Sequence, residues 1–248
     1  MIESGNILFQ KVGFVRALYR YPVKSMRGES LKSVHVGMDG LAGDRRAAFA
    51  STNTPSFLLT ARQLPAILRY APYFKNVRDL SLKNIRVKTA ERRDVLLTSK
   101  ALLFELIELC GFTLELKEEK HGIFDEMAIS LISQRTIQTI GRQANMDLDP
   151  RRFRPNILIE TYHSAPFQEE QWIGGYLKFG SRDDSARIRA EDRDERCMVV
   201  NLDPETGEQN PTVLRSIARI RQECAGIYCS TETPGTIRVG DFVYLIKG

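Results

Sequence analysis

Closely spaced turn residues cut this chain into short apolar segments, and that spacing confines it to a strand-dominated fold. β-like runs read at residues 12–21, 31–36, 46–50, 95–97, 114–117, 156–160, 176–179, 186–190, 198–202, 226–230 and 242–246, bounded by Gly, Pro, Asp or Asn. Three segments carry a helical period. Thr98 or Ser99 caps the first, with Leu102, Leu103, Leu106, Ile107 and Cys110 on one face and Gly111 as a stop. Ser133 caps the second, with Ile137 and Ile140 inward, and residues 212–221 form the third, with Val213, Leu214, Ile217 and Ile220 inward. Strands do not alternate with helices, which argues against a doubly wound sheet. The pattern predicts a mostly β or α+β fold: a β-barrel with peripheral helices. The polar stretch 117–125 reads as a boundary.

The 248 residues suffice for one large domain or two small ones. No apolar run approaches the roughly 18 residues a bilayer span needs, and the start of the chain lacks signal-peptide character. The expectation is a cytoplasmic protein with no membrane span. Lys and Arg outnumber Asp and Glu by 36 to 31. That mild excess suits an anionic small ligand, an acidic protein or nucleic acid equally. The basic residues are dispersed and show no nucleic-acid signature, so no nucleic-acid partner is expected. Cys110, Cys197, Cys224 and Cys229 form no C-x-x-C pair, so a structural zinc site is not expected and free thiols are.

Several clusters carry chemistry. Cys197 follows the charged run 191–196, and a thiolate forms and binds metal more readily beside cations such as Arg193 and Arg196. It reads either as a metal or redox thiolate or as a half-buried structural cysteine at the start of strand 198–202. Lys24 and Ser25 end a strand as a phosphate-suited pair, or as a solvated turn. In the 40–46 segment two glycines allow close backbone approach, Arg45 can grip an anion and Asp44 can orient it; a charged hairpin explains the same letters. Pro155 biases Arg154 to an extended conformation, where its planar fork can face phosphate, or simply solvent. Thr60-Ala61-Arg62-Gln63 is a further polar group, and Tyr228 lies in a Gly-Ile-Tyr-Cys strand.

Eight motifs in order resemble the MOSC family, named for the C-terminal domain of molybdenum cofactor sulfurase, and in particular its amidoxime-reducing members. They are Tyr-Pro-Val-Lys-Ser (21–25), Gly-Leu-x-Gly-Asp-Arg (40–45), Thr-Ala-Arg-Gln (60–63), Phe-Arg-Pro-Asn-Ile (153–157), Glu-x-x-Trp-Ile-Gly (169–174), Arg-Cys (196–197), Asp-Pro-x-Thr-Gly (203–207) and Pro-Gly-Thr-Ile-x-Val-Gly-Asp (234–241). The resemblance implies a MOSC β-barrel at residues 1–45 and 119–248 and a smaller α/β N-terminal-type subdomain inserted at 46–118. It implies a molybdenum–molybdopterin cofactor, not pyridoxal phosphate. Cys197 falls on the molybdenum ligand, catalytic and metal-binding at once. Lys24, Ser25 and Arg45 fall on residues that hold the pterin phosphate, and Arg154, Asn156, Arg196 and Tyr228 on other cofactor contacts. The implied activity is reduction of small N-hydroxylated compounds, amidoximes and hydroxylamines. The alternative is a cofactor carrier or sulfur-transfer module.

The chain departs from the family pattern at several places. Asp125-Glu126-Met127 stands where the family often has a small polar pair, and Glu195 where relatives can have serine. His163 falls near an acidic substrate-pocket position. The sequence has no ferredoxin-type cysteine set, so a reductase of this kind is expected to draw electrons from a separate iron–sulfur or haem protein.

Overall fold

The structure, a computed structural model, describes residues 8–247. Its strands are β1 (Leu8–Arg20), β2 (Glu29–Leu31), β3 (Ser33–Gly37), β4 (Gly40–Leu41), β5 (Ala47–Ser51), β6 (Ala71–Phe74), β7 (Ile85–Lys88), β8 (Asp94–Leu96), β9 (Leu114–Glu118), β10 (Ile129–Ser133), β11 (Ile157–Thr161), β12 (Tyr176–Phe179), β13 (Arg187–Glu195), β14 (Cys224–Thr233), β15 (Gly235–Arg238) and β16 (Phe242–Lys247). The helices are α1 (Lys100–Cys110), α2 (Gln134–Ala144) and α3 (Thr212–Arg221).

Seven strands close a barrel in the order β11-β10-β14-β13-β12-β16-β1, sealed by β1 pairing with β11, and β2 extends the sheet beyond β1. The pairings are antiparallel except β10 with β11. The register of β1 shifts between Lys11 and Gly13 on the β16 side and between Val15 and Ala17 on the β11 side. Such bulges bend a strand and increase its twist, as barrel closure demands. Gly13 sits at the seam, where a Cβ would lie 2.3 Å from the Glu160 carbonyl oxygen. The barrel core alternates inward from these strands and includes Val15, Ile129, Leu131, Ile159, Leu177, Phe179, Ile188, Ile227 and Val243.

A second core gathers Phe49, Leu59, Ile67, Tyr70, Ile85, Val87, Leu97, Leu102, Leu106 and Leu114. It lies among β5–β9 and α1. β5 pairs with β9 so that Ala47 faces Glu118, and β6, β7 and β8 form a separate sheet. A third core packs α2 and α3 on the barrel through Ile132, Ile137, Ile140, Leu158, Val213 and Ile217.

The helix ends follow local chemistry. The Ser99 hydroxyl accepts from the Leu102 N–H and Gly111 closes α1 in the left-handed region, while Ser133 accepts from the Thr136 N–H to start α2. The expected strand at 198–202 is instead a 3-10 turn, Met198–Asn201. The apolar run Met198–Val200 is three residues, too short for periodicity to separate the two. Strand β10 is buried throughout, serines included, and so shows no alternation. Pro72 obscures β6, which tolerates it as an edge strand.

Candidate functional site

Two ends of one cavity gather most of the residues singled out from sequence. The cavity is about 320 Å³, a volume within the range of small-molecule pockets. Its lining includes Lys24, Ser25, Arg45, Arg154, Arg196, Cys197 and Tyr228, together with Arg62, Asp125, Glu126, Arg152 and Asp194. Asn156 does not line it.

The cation end is built on Tyr21, which is 1% exposed. Its backbone N–H donates to Asp44 Oδ1 at 2.6 Å and its hydroxyl to the Pro155 carbonyl at 3.1 Å. The ring lies between two guanidiniums, 4.8 Å from Arg45 and 4.3 Å from Arg154, both within cation–π range. Arg45 is ion-paired with Asp44. Asp44 Oδ2 also accepts from Asn156 Nδ2 at 3.1 Å, and Asn156 Oδ1 accepts from the Ser130 N–H at 3.1 Å. Asn156 therefore acts from behind the wall, fixing Asp44 and through it Arg45.

Ser25, Arg45 and Arg154 all have positive φ, at 64°, 48° and 48°. Non-glycine residues occupy this region at a cost that surrounding contacts must offset, and such strain clusters at functional sites. Arg154 thus departs from the extended conformation expected before Pro155: it is left-handed and ends the 3-10 turn Pro150–Phe153. Surrounding contacts override the extended bias that Pro155 imposes on its predecessor. The Arg154 guanidinium donates to the Met26 carbonyl at 2.8 Å. Among the described residues it has no carboxylate in ion-pair contact. Burial pushes its pKa down to about 10, and Arg45 adds to the effect. Lys24, 7% exposed, donates to the Ile123 carbonyl at 3.2 Å and to Asp125 Oδ1 at 2.9 Å. Burial lowers its pKa further than Asp125 restores it.

At the other end Cys197 opens the Met198–Asn201 turn. That turn is held by two cores: Met198, Val199 and Leu202 pack with the second, and Val200 with the third. The cationic neighbours differ from those the sequence suggests. Arg193 turns away to the Arg221 carbonyl, Gln222 and Glu170. Arg196 points inward, donating to the Ala225 and Phe153 carbonyls and pairing with Asp194 at 2.5 Å. Arg62 lines the cavity with Cys197, and that nearby sulfur is the main cause of the rise in the Arg62 pKa. Gln63 locks the Arg62 turn, its Oε1 accepting from the Thr60 N–H at 3.0 Å and the Thr60 hydroxyl at 2.7 Å.

Asp194 is 1% exposed and accepts from the Ser130 hydroxyl at 2.5 Å. Burial raises its pKa despite Arg196, Ser130 and Tyr228. Burial and the Asp194 carboxylate in turn raise the pKa of Tyr228. Sequence reasoning missed Arg152 and Asp194. The alternation along β13 offers a signal for Asp194 alone, since it shares a face with buried Ala190. Arg152 ties down the Cys197 turn by donating to the Asn201 carbonyl and Asp203 Oδ2, both at 3.0 Å. His163 lies elsewhere, in a second cavity of about 340 Å³ with Tyr162 and Trp172 that shares no lining residue with the first.

Fold and site together define a β-barrel protein with a cation-rich cavity ended by a thiol. A family model for the MOSC domain matches residues 118–244, and one for the MOSC N-terminal beta barrel domain matches residues 12–106: the chain belongs to the MOSC family. The N-terminal match includes β1, which hydrogen-bonds into the closed barrel. The chain is 30% identical over 111 residues to the molybdenum cofactor sulfurase of Drosophila grimshawi, covering 44% of this chain and 13% of that protein. It is 23% identical to the human mitochondrial amidoxime-reducing component 1, a distant similarity covering 96% of this chain and 85% of that one. The YuaD protein from Bacillus subtilis shares the fold at a TM-score of 0.53 and 14% identity, over 97% of this chain and all of that structure. Among the described residues no helix is long and apolar enough to cross a membrane.

Proposed function

We propose that the protein is a molybdenum–pterin oxidoreductase that reduces N-hydroxylated compounds such as amidoximes, with electrons from a separate iron–sulfur or haem protein, in the cytoplasm. The observation that carries this reading is the pairing, in one cavity, of a thiol with a cation cluster short of acids. Six cations (Lys24, Arg45, Arg62, Arg152, Arg154, Arg196) and four acids (Asp125, Glu126, Asp194, Glu195) line the cavity; Asp44 and Asp203 pair with Arg45 and Arg152 from outside it, and among the described residues Arg62 and Arg154 have no carboxylate in ion-pair contact. A phosphate monoester brings about 1.5 to 2 negative charges at neutral pH. Arg154, half-buried and without a carboxylate in ion-pair contact, supplies the most direct call for such an anion.

The residues fit the cofactor at the other end too. Among the described residues no three His, Cys, Asp or Glu side chains converge as a metal site. A metal beside Cys197 would therefore bring most of its own ligands, as a pterin dithiolene does. Soft thiolate ligation suits a sulfur-rich centre.

In this reading Lys24, Ser25, Arg45 and Arg154 bind the phosphate, and Tyr21 and Asn156 hold those cations in place. Cys197 ligates the metal and Arg62 steadies its sulfur. Tyr228 presents its neutral phenol to the cofactor, and Arg196 fixes Asp194 behind it. The bound group supplies the two-electron chemistry; the chain supplies position and charge. The barrel is assigned to residues 1–45 and 119–248 and the inserted unit to 46–118, a division supported by the β5–β9 pairing that brings the insert's ends together.

A second reading, a carrier or sulfur-transfer module, draws on the similarity to the sulfurase. Metal analysis of protein made in a cofactor-competent host, followed by an amidoxime assay with reduced viologen, separates the two. Molybdenum with turnover supports the reductase, molybdenum without turnover supports the carrier, and absence of molybdenum refutes both.

A further inference from the structure

We propose that Asp125 is an internal stand-in for phosphate: it occupies the Lys24 ammonium until an external anion displaces it. The inference rests on reading the Lys24 end of the cavity as a phosphate site. It concerns a segment where the chain departs from the family pattern.

Lys24 is almost fully buried, yet its carboxylate partner is the reverse: the Asp125 side chain is 74% exposed. Asp125 reaches Lys24 from an irregular segment between β9 and β10. The Ile123 N–H donates to the Arg45 carbonyl at 2.8 Å, and the Ile123 carbonyl accepts from Lys24. The segment is therefore clipped down just before Asp125, and Asp125 itself projects past the clip. Asp44 and Asp194, by contrast, are buried and multiply hydrogen-bonded, so they are fixed wall.

An exposed carboxylate loses little when it leaves a cation, because water takes its place. A buried ammonium loses much when left alone. Asp125 thus satisfies Lys24 at small cost to itself, and Lys24, Arg45 and Arg62 together favour its charged form. A phosphate offers the same kind of acceptor oxygen with more charge and one more oxygen. It wins the contact when present, but only after competing with an acid tethered beside it.

The test uses inorganic phosphate and the full chain produced without the pterin cofactor, compared as wild type, Asp125→Asn and Lys24→Gln by calorimetric titration at constant ionic strength. Asp125→Asn should bind phosphate about tenfold more tightly than wild type, the usual scale for one charged hydrogen bond. Lys24→Gln should lose most of the binding. Unchanged or weaker binding by Asp125→Asn overturns the inference, as does binding that survives Lys24→Gln. Molybdenum content of wild type from a cofactor-competent host tests the parent reading separately. If it is nil while Asp125→Asn still tightens phosphate, the cofactor reading falls and the stand-in remains.

Discussion

Replacing Asp44 with alanine should be among the most damaging single changes at the site, though Asp44 itself lies behind the cavity wall. The carboxylate has no exposed side-chain surface, and it holds Arg45, the Tyr21 N–H and the Asn156 amide together. Breaking a buried ion pair by removing one partner costs about 3–5 kcal/mol. The hydrogen bonds from the Tyr21 N–H and the Asn156 amide, about 1.5–3 kcal/mol each to a charged acceptor taken alone, add far less than their sum because the three partners form one network. A loss of about 4 kcal/mol follows. Asp44→Asn preserves shape and one acceptor but turns its amide toward other donors, and should lose about half as much. The chain's single tryptophan, Trp172, is 4% exposed in the barrel core and reports unfolding by fluorescence. With a urea slope of about 3 kcal/mol per M, Asp44→Ala should lower the midpoint by about 1.3 M. An Asp44→Ala midpoint within about 0.3 M of wild type at the same slope refutes the view that this buried network holds the cation end.

Other outcomes follow from the same geometry. Cys197→Ala, at a half-buried position, should change stability by less than about 1 kcal/mol yet abolish molybdenum retention, read by thermal melting and metal analysis. Gly13→Ala drives a Cβ against the Glu160 carbonyl at the barrel seam and should cost about 1–3 kcal/mol in urea unfolding. The Asp125 carboxyl is held below its ordinary pKa of 3.8, its cations outweighing burial. Its contribution to stability is therefore present above pH 3.8 and fades as pH falls through the lower folded value. The stability gap between wild type and Asp125→Asn should close on acidification below pH 3.8, and a gap that widens there contradicts the assigned shift.

What the sequence disclosed divides along physical lines. Helix ends were legible because Ser99, Ser133 and Gly111 act on their own neighbours, and α3 spans the residues its period marks out. Barrel strands with a mixed face were legible too, whereas fully buried β10 lacked the alternation that identifies a strand. At the site, the sequence collected Lys24, Arg45, Arg154, Arg196 and Cys197, all of which line one cavity. It misjudged directions. Arg193 precedes Cys197 by four positions but points to Glu170, while Arg62, distant along the chain, arrives beside the sulfur. Proximity across a tertiary fold leaves no trace in local spacing. The left-handed turns at Ser25, Arg45 and Arg154 are likewise imposed by what surrounds them.

The short turn after Cys197 answers to two packing environments at once, since Met198, Val199 and Leu202 are gripped on one side and Val200 on the other. Its thiol is therefore not portable. Excising residues 46–118 would remove Arg62 and most of the apolar bed under Met198, and the excised piece would carry no thiol from position 197. Neither fragment would be half a site. In such a chain the thiol and the cations that share its cavity come together only in the completed fold.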